Sequence, residues 1–123
     1  MNFYHFTSSV HFEYIEKNGL SKGEVPITPV KGTCAVWLTV NPNREQQRWT
    51  ACSLMNKKEI RISVMVDKSD SRLIKWSEYA KEQSVPQWWY DILNNAWGGD
   101  TDNWYLFFGT IKPEEFTSVD RTP

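Results

Sequence analysis

The chain has 123 residues, 40% hydrophobic and 24% charged, which suits one packed domain and excludes disorder. Its formal net charge of −1 sets it apart from dedicated DNA-binding domains. No apolar run approaches the roughly 20 residues of a membrane helix, and strand-like sequence starting almost at Met1 leads us to expect no signal peptide.

The charges are unevenly placed. From Arg44 to Lys75 there are eight Lys/Arg against four Asp/Glu, a net of +4; from Trp76 onward there are three against eight, a net of −5. A basic middle suits phosphate groups, and it equally suits a solvated sheet face. Cys34 and Cys52 match no zinc or redox spacing, so they read as free thiols in a cytoplasmic protein rather than as a disulfide. Five of the seven tryptophans (Trp76, Trp88, Trp89, Trp97 and Trp104) lie from residue 76 onward, where bulky rings help a small domain fill its core.

Aromatic residues around His5 predict a first strand, Phe3–Thr7, with Phe3, His5 and Thr7 on one face and Tyr4 and Phe6 on the other. A helix follows over Ser9–Asn18, capped by Ser8 or Ser9 and ended by Gly19. Val10, Tyr14 and Ile15 form its apolar stripe with Phe12 alongside, and His11 is expected partly buried. Pro26 and Pro29 mark Ser21–Gly32 as a loop.

Thr33–Val40 reads as one strand, with Cys34, Val36, Leu38 and Val40 opposite Ala35, Trp37 and Thr39, and Asn41-Pro42-Asn43 turns the chain. Residues 43–57 are ambiguous. Lys58–Asp67 alternates cleanly as a strand, and Leu73-Ile74 extends briefly. Ser77–Ser84 reads as a short helix, and Ser84 with Gln87 as a capping box for a second, which Gly98-Gly99 ends. Trp104–Ile111 is an apolar strand, and Lys112–Phe116 begins a terminal turn. Short runs of mixed type favour an α+β fold over a regular parallel sheet.

No phosphate-cradling glycine loop, nucleophile elbow or paired-histidine metal site is present; with two histidines and scattered carboxylates no metal is expected, and with no long apolar run no membrane partner is expected. His5-Phe6-Thr7 on a first strand, a helix ending in Asn18-Gly19-Leu20, and Val36-Trp37-Leu38-Thr39 on a second strand resemble the ADP-ribosyltransferase superfamily. The closing Trp104-Tyr105 strand followed by Gly109-Thr110-Ile111-Lys112-Pro113-Glu114-Glu115 is similar to the end of such domains. The likeness is to small bacterial and phage branches, including DNA-targeting ADP-ribosyltransferase toxins and RNA 2′-phosphotransferases, and covers the first 40 residues and the last 20.

The resemblance implies a small split sheet with short helices and NAD, as substrate, in a cleft between its halves. It implies that His5 bonds a ribose hydroxyl, with Thr7 beside it, and that the Phe6 backbone holds the nicotinamide amide. Thr39 then supports the pocket, and Tyr14 or Trp37 walls the ring. Where the family places a glutamate before its last core strand, this chain has Asp102; Glu78 is the other acid. Arg44 and Arg48 stand in for the pyrophosphate contact. The implied activity is release of nicotinamide and transfer of ADP-ribose to a protein or nucleic acid. The alternative is a non-enzymatic phage or mobile-element protein that binds a host macromolecule through its Trp-rich final third.

Overall fold

The computed structural model describes residues 1–21, 23–43, 59–96 and 101–121. The expectations for Arg44, Arg48, Cys52, the 43–57 stretch beyond Asn43, Trp97 and Gly98-Gly99 lie outside the described residues. The fold is mixed α+β, with three short helices and two sheets among the described residues. Eight strands are described: β1 (Asn2–Thr7), β2 (Glu24–Thr28), β3 (Lys31–Cys34), β4 (Val36–Thr39), β5 (Ile60–Met65), β6 (Leu73–Lys75), β7 (Trp104–Phe107) and β8 (Phe116–Arg121). The helices are α1 (Ser9–Asn18), α2 (Trp76–Glu82) and α3 (Gln87–Ala96).

The main sheet runs β6-β7-β4-β1-β5-β8, and every neighbouring pair is antiparallel. Pairing is generous within each half: β1 and β5 share six residue pairs, and β4 and β7 share four. Between the halves, β1 and β4 share one, Tyr4 with Thr39. The sheet is therefore pinched at its centre, and that pinch positions the site described below.

Alternation distributes the core over both sheet faces. On one face Phe3, Val36, Leu38, Ile60, Ile62 and Val64 pack with Phe12 and Ile15 of α1. On the other, Trp104 and Leu106 of β7 pack with Trp76 and Ala80 of α2, Leu93 of α3 and Val25 of β2. Trp76 is fully buried, with Trp37 edge-on at 5.4 Å and Tyr90 stacked at 6.0 Å between centroids. Trp88, by contrast, is exposed.

Helix α1 has the expected bounds. Ser8 Oγ accepts the His11 N–H at 3.3 Å, and the Gly19 N–H donates to Ile15 O at 2.8 Å. Gly19 has φ +81°, and a Cβ there would collide with the carbonyl oxygen of Ile111, so glycine is needed for both conformation and space. Leu20 and Ile111 then exchange two backbone hydrogen bonds, at 2.8 and 2.9 Å.

Four expectations are corrected. Ser21–Gly32 is not all loop, because β2 and β3 form a hairpin with Thr28 opposite Lys31. Pro26 sits opposite Gly32 in this ribbon, where both strands are edges and a missing N–H is tolerated. Thr33–Val40 is two strands, divided at Ala35, whose N–H donates to Gly23 O at 2.9 Å as the chain passes from the hairpin to the main sheet. β7 ends at Phe107 rather than Ile111, whereas the expected terminal turn is present as a 3₁₀ turn, Pro113–Glu115, with β8 following it. Ser84 does not cap α3; it has φ 54° and closes α2, its N–H on Lys81 O and the Val85 N–H on Ala80 O.

Candidate functional site

Continuing the Tyr4–Thr39 register would set Phe6 opposite Trp37, but that pair does not form. The strands part there, and a cleft of about 610 Å³ opens, well within the size range of small-molecule sites. His5, Phe6 and Thr7 line it from β1, Tyr14 from α1 and Trp37 from β4. These residues come from three elements, and all five are among those the sequence singles out.

At the pinch the His5 ring takes over a role that a backbone ladder would otherwise fill. Its Nδ1 lies 2.9 Å from the carbonyl oxygen of Trp37. A carbonyl only accepts, so Nδ1 carries the hydrogen, and whenever the ring is neutral Nε2 is an acceptor. On the opposite wall, the Trp37 indole N–H donates to Glu24 O at 2.8 Å. Trp104 meets the Trp37 ring edge-on at 5.8 Å and also lines the cleft. The indole is thus fixed from two sides, which makes the aromatic wall rigid.

The α1 wall is anchored at its start by the residue that precedes β5. Glu59 Oε1 accepts the Ser9 N–H at 2.7 Å, and this bond holds the Glu59 carboxyl below its ordinary value. Tyr14 is about half exposed and Val10 more so, so these two members of the expected apolar stripe border the cleft, while Ile15 and Phe12 enter the core as expected. His11 is exposed and lines the cleft as well, which corrects its expected partial burial.

The remaining residues are placed elsewhere. Thr39 is fully buried, and its Oγ1 accepts the Asn41 N–H at 3.1 Å, so the hydroxyl shapes the end of β4 and does not line the cleft. Asp102 is exposed in the 3₁₀ turn Thr101–Asn103 that leads into β7, and it is absent from the described cleft lining, which Trp104 joins two residues later. Glu78 is exposed on the first turn of α2 and is absent from the described cleft lining.

Sequence reasoning missed Glu24, which lines the cleft from β2. Its only sequence signal is its place before Val25, a buried residue whose alternation turns Glu24 outward, and the prolines hid that strand. Among the described residues no group of His, Cys, Asp and Glu could hold a metal ion, and no helix is long and apolar enough to cross a membrane. No protein-family model, curated protein or solved structure matches the chain.

Proposed function

We propose that the cleft binds NAD and that the protein is an ADP-ribosyltransferase-like enzyme, with the pinched sheet serving as the split sheet of that fold. The reading is carried by the convergence of His5, Phe6, Thr7, Tyr14 and Trp37 on one cleft where the sheet halves part. In this reading His5 Nε2 accepts a ribose hydroxyl, while Nδ1 stays anchored on Trp37 O. Tyr14 and Trp37 flank the nicotinamide ring, and the Phe6 backbone takes its amide.

Reaction breaks the glycosidic bond between the ribose anomeric carbon and the nicotinamide nitrogen. The bonding pair goes to the ring, which leaves neutral, and the sugar becomes oxocarbenium-like. An acceptor oxygen or nitrogen of a protein or nucleic acid forms the new bond and gives up its proton. A carboxylate near the sugar lowers that barrier electrostatically. In this reading Asp102 takes this role from the turn before β7, two residues ahead of Trp104.

Isotopically labelled NAD incubated with a cell lysate should transfer label to a macromolecule. Asp102→Asn should cut the rate on the order of 100-fold while NAD affinity by calorimetry holds. A folded protein that binds no NAD overturns the reading.

A second reading rests on α3, where Trp88 and Ile92 are 58% and 49% exposed one turn apart. Such a face suits a non-enzymatic phage or mobile-element factor that docks on a host macromolecule. Capture of one unmodified partner, lost in Trp88→Ala and indifferent to NAD, supports this reading over the enzyme.

A further inference from the structure

The cleft combines a carboxylate-bearing residue with aromatic walls. Glu24 lines it from the hairpin and is solvent-exposed. Its carbonyl holds the Trp37 indole at 2.8 Å, so residue and ring are fixed relative to one another. Tyr14 borders the cleft from α1, and Trp104 backs Trp37. Aromatic faces attract cations through their quadrupole, and a nearby carboxylate adds direct attraction.

We propose that this cleft selects a planar aromatic cation over its neutral isostere, and that Glu24 sets the preference. The proposal deepens the NAD reading and rests on it for the identity of the ligand, because the nicotinamide ring is the cationic end of NAD. It also has a consequence for turnover. The ring becomes neutral when the glycosidic bond breaks, so a site that prefers the cation holds free nicotinamide less well and lets it go.

The test uses two small probes of the same shape, 1-methylnicotinamide, which is cationic, and 3-methylbenzamide, which is neutral. Each is titrated against the full chain by NMR, read at the tryptophan indole N–H signals. The wild type should bind the cation about three- to tenfold more tightly, as expected for a partly exposed charge beside aromatic rings. Added salt should shrink that ratio. Glu24→Gln should bring it within about twofold by weakening the cation alone, while Glu16→Gln, an exposed charge on α1 outside the described lining, should leave it unchanged.

A wild-type ratio near one, or a ratio that survives Glu24→Gln, overturns the proposal. If NAD binds but the probes show no charge preference, this proposal fails and the NAD reading stands. A Glu24-dependent preference without NAD binding does the opposite, overturning the NAD reading and supporting the cation preference. Failure of all three ligands to bind overturns both.

Discussion

His5 has a structural task and a proposed chemical one, and they fall on different ring nitrogens. Nδ1 donates across the pinch to Trp37 O, where the backbone ladder between β1 and β4 stops. Nε2 is the atom assigned to the ribose. Substitution can therefore separate the tasks. His5→Ala removes the donor and leaves a carbonyl without this partner, which should cost about 1–3 kcal/mol by denaturant unfolding and also abolish NAD binding. His5→Asn keeps an N–H donor close to the position of Nδ1 but lacks an equivalent of Nε2. It should recover most of the stability and none of the binding. If His5→Asn binds NAD as well as the wild type, His5 is a structural residue alone. The sequence could place His5 on a strand face beside Thr7; it could not show the bond to Trp37 O, because that bond depends on how far β4 lies from β1.

Elements defined by their own sequence were legible, and those defined by a neighbour were not. Helix α1 carries its start and stop signals locally, in Ser8 and Gly19, and β5 carries its alternation. The β2–β3 hairpin was hidden because prolines argue against a strand only where an interior ladder needs their N–H. β8 is a polar edge strand, built by its ladder to β5 and by the Arg61–Asp120 ion pair at 2.8 Å, neither of which its own residues announce. Ser84 was misassigned because a serine before a helix reads as a cap, whereas here it takes the left-handed position that ends the previous one. That position favours glycine by about 1 kcal/mol, so Ser84→Gly should raise the melting temperature by a few degrees in calorimetry. The turn before β6 offers a pH test. Arg72 binds both Asp70 carboxylate oxygens, through Nε at 3.0 Å and Nη2 at 2.8 Å, and holds the Asp70 pKa at about 2, below the ordinary 3.8. A folded-state value below the unfolded one stabilises above the unfolded value and is lost as pH falls through the folded one. Melting temperature should thus fall between about pH 4 and pH 2, and Asp70→Asn should flatten that part of the profile.

At the scale of the whole molecule, the main sheet is two well-paired halves over a shared core, and among the described residues the ladder between them is a single residue pair beside the His5–Trp37 bond. This arrangement explains why the site was partly legible. Residues on β1, α1 and β4 could be named because each element announces itself, and their meeting point follows from where β1 and β4 diverge. Thr39 lies one residue pair too far along, on the closed side of the pinch, and Glu24 belongs to the strand the prolines concealed. The same arrangement predicts how a ligand acts on stability. A dinucleotide held by His5 and Phe6 of one half and Trp37 of the other adds a link where the protein's own pairing is thinnest, and it binds only the folded chain. Binding to the folded state alone stabilises by about 2.7 kcal/mol at a hundredfold excess over Kd, which in a domain of this size raises the melting temperature on the order of 10 °C. NAD should produce that shift in a thermal-melt assay. ADP-ribose and nicotinamide, each covering part of the cleft, should produce smaller ones at equal concentration, and His5→Ala should remove most of the NAD effect. If nicotinamide alone matches NAD, the ring site accounts for the stabilisation, and the ribose contact assigned to His5 contributes nothing to holding the halves together.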